Sequence, residues 1–135
     1  MPKRVLLYVE DEDAAVFLLE TALKEAHIQV DLYRVSDGEQ AVAFLKHTPP
    51  YEWAPRPDLV LLDLNLPRKN GLEVLAEMKK SKSLADIATV VFTSSALQSD
   101  RKKSLALGAQ NYITKPSTFD GFIEAVRSAC SPIAH

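Results

Sequence analysis

The stretch Asp58-Leu59-Val60-Leu61-Leu62-Asp63-Leu64-Asn65-Leu66-Pro67 decides the fold. Its uninterrupted apolar run, Leu59 to Leu62, has no polar face, as suits a strand covered on both sides in a parallel sheet. The run ends abruptly at the carboxylate of Asp63, and Pro67 stops the segment beyond it. In an open α/β sheet the chemistry gathers where strands end at their carboxyl edge, so Asp63 stands where a functional group belongs. An acid closing a strand also serves as a plain turn former or helix cap, and the rest of the chain must separate the two readings.

Working outward, Val5 to Val9 is a second short apolar run, and it ends in Glu10-Asp11-Glu12-Asp13. A helix follows over Ala14 to Ala26, with Asp11 or Asp13 as its cap. Val16, Leu19, Leu23 and Ala26 make its core stripe, which leaves Phe17 on the opposite side with Ala14 and Thr21. Val30 to Val35 alternates like a half-buried strand. Ser36 and Glu39 have capping-box spacing at the start of a helix whose apolar stripe is Ala41, Val42 and Leu45. Between His47 and Asp58 lie Pro49, Pro50, Pro55 and Pro57, half of the chain's eight prolines, with Tyr51 and Trp53 among them. No helix or central strand survives that density, so this is an ordered loop or semi-rigid crossing segment.

Beyond Asp63, Gly71 to Ser81 reads as a helix with Leu72, Leu75 and Met78 facing inward. Thr89 to Phe92 is a strand ending at Thr93-Ser94-Ser95. A helix capped by Ser99 runs through Leu107 and is closed by Gly108. Asn111 to Thr114 is a short strand ending at Lys115-Pro116. Ser117 or Thr118 caps a last helix that carries Phe119, Phe122, Ile123, Val126 and Cys130. Strands thus alternate with helices throughout. That pattern gives an α/β, doubly wound fold with a parallel five-stranded sheet in the flavodoxin-like order 2-1-3-4-5.

The bulk numbers narrow the class. With 135 residues, 47% hydrophobic and 25% charged, the chain suffices for one domain over 1–135, its core spanning about 4–130. A net charge of −2 gives no basic footprint, so nucleic acid is not an expected partner. The N-terminal apolar run is too short for a signal peptide or membrane span. Cys130 alone excludes an internal disulfide framework, and a cytoplasmic location fits these features.

The strand ends collect polar residues: Glu10 and Asp11 after the first, Asp63 after the third, Thr93 after the fourth and Lys115 after the fifth. In the order 2-1-3-4-5 these meet at one rim. Two carboxylates about 4 Å apart repel by about 4 kcal/mol at an effective dielectric of 20, so the cluster calls for a cation. Hard oxygen ligands favour Mg²⁺ or Mn²⁺, while His27, His47 and His135 are too scattered for zinc. A carboxylate nucleophile with a divalent cation and a lysine describes phosphoryl chemistry. No glycine-rich phosphate loop is present, which argues against a nucleotide as direct ligand.

Glu10-Asp11, Asp63, Thr93 and Lys115-Pro116, with 30 residues from Asp63 to Thr93 and 22 from Thr93 to Lys115, resemble the motifs of the response-regulator receiver domain of bacterial two-component signalling. The resemblance spans Val5 to about Cys130. It implies that Asp63 is the phosphoacceptor, loaded from a phosphohistidine on a sensor histidine kinase. It implies Mg²⁺ ligation by Asp11, by Asp63, by the backbone carbonyl of Asn65, and by Glu10 through water. Thr93 would swing its hydroxyl to the phosphoryl group, Lys115 would pair with it, Tyr112 would act as an aromatic rotamer switch, and Lys115-Pro116 would be a cis peptide. The Leu66-Pro67 pair and the proline-rich insertion resemble the stand-alone regulators paired with bacterial phytochromes. Glu10 departs from the commoner aspartate, and Ser94 from the commoner alanine.

Further expectations follow. Ala14, Phe17 and Pro116 would form part of the kinase-docking surface. The face made by the helix from Ser99, the strand holding Tyr112 and the last helix would support a homodimer. With no output domain, a downstream protein or relay partner would read the signal. Asp13 reads as a helix cap before a fourth site acid, Cys130 as buried packing, and Arg101-Lys102-Lys103 as a solvated helix face. Two rival readings remain. An aspartate-nucleophile phosphohydrolase would want a second acid two residues after Asp63, where Asn65 stands. A phosphate-independent interaction module would have no use for Asp63, Thr93 and Lys115 together.

Overall fold

A computed structural model describes residues 3–133; His135 and the first two residues of the N-terminal reading lie outside them. Strands and helices alternate as β1 (Arg4–Val9), α1 (Asp13–Glu25), β2 (Val30–Val35), α2 (Gly38–Lys46), β3 (Leu59–Leu62), α3 (Gly71–Lys80), β4 (Ala88–Thr93), α4 (Gln98–Ala106), β5 (Asn111–Thr114) and α5 (Phe119–Ala129). All pairings are parallel, and the order is β2-β1-β3-β4-β5. This is the flavodoxin-like arrangement expected from the alternation.

Side chains of a strand alternate between the two faces of the sheet, and the core divides accordingly. Leu7, Val9, Val60, Leu62 and Val91 pack with α2 and α3 residues such as Phe44, Leu45, Val74, Leu75 and Met78. Leu6, Tyr8, Leu59, Leu61, Val90 and Phe92 pack with Leu19 and Leu23 of α1, with Phe122 and Val126 of α5, and with Cys130 at its C-terminal cap. All four residues of β3 are fully buried, as a central strand flanked on both faces requires. No helix of the described residues is long and apolar enough to cross a membrane.

Several local expectations shift by a residue or a face. In α2 the cap is Asp37, whose Oδ1 accepts from Gln40 N at 2.8 Å, while Ser36 N donates to the Gln40 side chain at 2.7 Å. Gly38 sets that start: a Cβ there would lie 1.8 Å from the carbonyl oxygen of Lys69, so the helix must begin against the β3–α3 loop. Phe44 rather than Val42 is the large inward residue of α2. Neither Asp11 nor Asp13 caps α1, where Glu12 takes the cap position without a side-chain bond. Ser99 does not cap α4; it lies within the helix, behind an uncapped Leu97. Thr118 does cap α5, accepting from Gly121 N. Gly108, at φ +101°, follows α4 in the left-handed conformation that suits a helix exit.

The proline-rich segment folds its aromatics onto the β2 edge. Tyr33, Phe44, Tyr51 and Trp53 form a cluster with ring centroids 5.6–6.2 Å apart, Trp53 remaining largely exposed.

Candidate phosphoryl site at the carboxyl rim of the sheet

Ladder hydrogen bonds continue one residue past the strands and bring the rim residues together. Asp63 N donates to Val9 O at 3.1 Å, Glu10 N to Val35 O at 3.0 Å, and Lys115 N to Thr93 O at 2.7 Å. Asp63 is thereby carried beside Glu10, with Thr93 and Lys115 on the next strands. Helix α3 presses on the same point: a Cβ on Gly71 would sit 2.4 Å from the Asp63 carbonyl oxygen. The capping box of Asn70 and Glu73 fixes where that helix starts.

The side chains form one connected network. Thr93 Oγ1 donates to Asp63 Oδ1 at 2.7 Å, and Asn65 N donates to the same oxygen at 3.1 Å. Lys115 Nζ donates to Asp63 Oδ2 at 3.1 Å and to Glu10 Oε1 at 2.5 Å. Its ammonium also lies 5.8 Å from the centroid of the Phe92 ring. Glu10, Asp63 and Thr93 are buried, and Lys115 is half-buried. Glu10 carries two further donors, Tyr8 Oη on Oε1 at 3.2 Å and Glu12 N on Oε2 at 3.2 Å.

Burial and charge oppose each other here. Burial works to raise the Asp63 carboxyl, but the Lys115 charge and the hydrogen bonds from Thr93 and Asn65 outweigh it and hold the group below the usual carboxylate range. Burial pushes Glu10 upward against the hydrogen bond and charge of Lys115. Lys115, which burial alone would lower, is raised by its bond to Glu10 and by the Asp63 and Glu10 charges.

A second strand of the network leads away from the site. Ser95 N donates to Thr93 Oγ1 at 3.5 Å, and Ser95 O accepts from Tyr112 Oη at 2.7 Å. Ser95 Oγ donates to Asp100 Oδ2 of α4 at 2.6 Å. Tyr112 is buried, and Arg101 lies over its ring, 6.0 Å from the centroid. Arg101, Lys102 and Lys103 are all exposed, as a solvated helix face requires, and Arg101 also donates to the Tyr112 carbonyl at 3.2 Å.

The structure gathers Glu10, Asp63, Thr93 and Lys115, and it holds the others differently. Asp11 is exposed at the mouth. Asn65 turns its N–H toward Asp63. No group of three His, Cys, Asp or Glu side chains among the described residues already forms a metal cage. The Thr93 hydroxyl is bonded to Asp63 directly. Asp13 is neither cap nor site acid: Arg34 Nη1 donates to it at 2.8 Å while Arg34 Nε donates to the Glu10 carbonyl at 2.8 Å, clamping the β1–α1 loop. The expected cis peptide at Lys115-Pro116 is not found; the cis bond among the described residues is Pro49-Pro50. A trans X–Pro bond is the default by about 0.5–1 kcal/mol, and Lys115 reaches both carboxylates from it. Ala14 and Phe17 are exposed, Phe17 to 68%, and Pro116 is half-buried.

Sequence reasoning missed Tyr8, Arg34 and Ser95. Only Tyr8 left a signal: it is the one hydroxyl in the Val5–Val9 run, two residues before Glu10 and so on the same face.

Residues 6–127 match the response regulator receiver domain. The response regulator Rcp1 of a Synechocystis strain is 41% identical over 126 residues, covering 93% of this chain and 86% of that protein. The crystal structure of the Mn²⁺-bound form of Rcp1 superposes with a TM-score of 0.88 at 42% identity, over 96% of this chain and 93% of the other. The phosphorylated cyanobacterial phytochrome response regulator RcpA superposes with a TM-score of 0.90 at 36% identity, over 98% and 94% of the two chains. Matched along most of its length in sequence and in strand order, the chain belongs to the response regulator receiver domain family.

Proposed function

We propose that this receiver takes a phosphoryl group on Asp63 from a phosphohistidine of a sensor histidine kinase and passes the change to a protein partner. The observation that carries this is the double hold on one buried carboxylate, Thr93 on Oδ1 and Lys115 on Oδ2. An oxygen of Asp63 attacks phosphorus, the phosphorus–nitrogen bond to histidine breaks, and an acyl phosphate forms. The donors already on Asp63 are those that can meet the phosphoryl oxygens.

The residues fit a hard divalent cation. Glu10 and Asp63 are buried carboxylates with only the Lys115 ammonium between them, so negative charge is left over. Asp11 adds another carboxylate at the mouth, and every side-chain candidate donates oxygen. Glu10 (through water), Asp11, Asp63 and the Asn65 carbonyl would hold Mg²⁺, or Mn²⁺ in its place. When bound, the cation neutralises charge on the transferring phosphoryl group.

Charge arriving at Asp63 acts on Thr93, then through Ser95 on Tyr112 and on Asp100 of α4. Tyr112 serves as the switch in this reading. Helix α4, β5 and α5 change their surface, which binds a downstream protein, a relay partner or a second copy. Likeness to the phytochrome response regulator RcpA supports a phytochrome as the kinase. Ala14, Phe17 and Pro116 form part of its docking surface. The chain works in the cytoplasm as a receiver domain, a signalling module and not a metabolic enzyme. A phosphohydrolase reading is disfavoured because Asn65 stands where a second acid would be needed, and its amide side chain cannot transfer a proton as a general acid or base.

The test is intact mass after incubation with acetyl phosphate and Mg²⁺. One phosphoryl adduct on the wild type and none on Asp63→Asn is expected. No adduct on the wild type with Mg²⁺ or Mn²⁺ would overturn the reading in favour of a phosphate-independent module.

A further inference from the structure

Tyr8 is a fully buried tyrosine in the β1 run, packed among Leu19, Phe92 and Phe122 on the α1–α5 side of the sheet. A phenol in such apolar surroundings needs a hydrogen-bond partner, and its Oη donates to Glu10 Oε1 at 3.2 Å. Glu10 is itself almost wholly buried, and the same Oε1 accepts from Lys115 Nζ at 2.5 Å. Glu10 Oε2 accepts from Glu12 N. Three donors from three directions therefore fix both oxygens.

A glutamate has one more rotatable bond than an aspartate and can place its carboxylate in more ways. Lys115 alone would draw it toward Asp63, since that ammonium bridges the two acids. The Tyr8 hydroxyl pulls from the β1 side and holds Glu10 back. We infer that Tyr8 is a positioning residue, which makes the longer Glu10 serve the cation through water by anchoring its Oε1 from within the core. The inference rests on the functional reading above, in which a divalent cation binds beside Asp63. Tyr8 acts only through Glu10, and the anchor fits glutamate because a side chain one methylene shorter would fall away from Tyr8 Oη.

A double-mutant cycle tests this. Mn²⁺ binding is measured by calorimetry on the full chain for wild type, Tyr8→Phe, Glu10→Asp and the double variant, with melting curves to confirm that each is folded. Tyr8→Phe keeps the ring and removes only the hydroxyl. It should weaken Mn²⁺ about 10-fold, the scale for removing an outer-shell partner of a metal ligand. In the Glu10→Asp background it should change affinity by less than about twofold. Phosphorylation from acetyl phosphate should slow at low Mn²⁺ and recover at saturating Mn²⁺ for Tyr8→Phe. Equal weakening in both backgrounds would mean that Tyr8 acts through general packing, and no weakening in the wild-type background would mean that it does not act on the site. Either overturns the inference. Failure of the wild type to bind Mn²⁺ at all would instead overturn the metal site itself.

Discussion

Lys115 is where the balance of the site is decided. It bridges Glu10 and Asp63, two carboxylates that would otherwise repel across a buried rim. Removing one partner of a buried ionic group is costly because the others remain desolvated, so Lys115→Met should destabilise the fold by about 3 kcal/mol near neutral pH. The pH dependence follows from the direction of its shift. Lys115 is raised above the ordinary lysine value of 10.5, so its stabilising contribution is complete below about pH 10.5 and is lost as pH rises through the higher folded value. Denaturant midpoints of wild type and Lys115→Met should keep a constant gap from pH 7 to about 10 and converge above that. A gap that widened with alkaline pH would contradict the bridging arrangement.

Among the elements, α4 stands apart. It has one buried residue, Ser104, and its cap position is Leu97, which supplies no side-chain bond. Ser95 partly stands in, with its Oγ accepting from Leu97 N at 3.4 Å. Helix α5, by contrast, buries Phe122, Ala125, Val126 and Ala129 and has the Thr118 cap. A helix with little buried apolar surface opens locally at low cost. Amide hydrogen exchange in α4 should therefore outpace that in α5 by at least about 10-fold, read by mass spectrometry of peptides from each. Equal protection would remove α4 as the movable part of the switch. The weak anchoring also explains why Ser99 misled as a cap: with no strong apolar stripe, nothing in the local pattern marks where this helix begins.

At the scale of the molecule, the sheet lies between two cores, and the site lies at its carboxyl end. Cys130 sits in the core that α1 and α5 cover, fully buried, and burial pushes its thiol up to about 12. A thiol of that kind reacts only when its surroundings open. Labelling with a disulfide reagent at neutral pH should therefore be slow and follow global unfolding. Denaturant should accelerate it in step with loss of helical circular dichroism. Fast labelling of the native protein would show that α5 detaches separately from the sheet.

The class of fold was legible in the amino-acid order, and so were the four residues that meet at the carboxyl rim. Apolar runs such as Val5–Val9 and Leu59–Leu62 suit strands covered on both faces, and four of the strands end at residues whose chemistry was already visible: Glu10, Asp63, Thr93 and Lys115. Those are properties of short stretches and of the topology they imply. The partners of these side chains depend instead on distances between residues far apart in the chain. Arg34 takes Asp13 away from capping, Tyr8 reaches Glu10, and Ser95 joins Thr93 to Tyr112. Helix starts also shifted where a neighbour intervened, as the Lys69 carbonyl does at Gly38. Periodicity shows which face a side chain takes, but its hydrogen-bond partner is chosen by the register of adjacent strands and the packing of helices, which no local pattern contains.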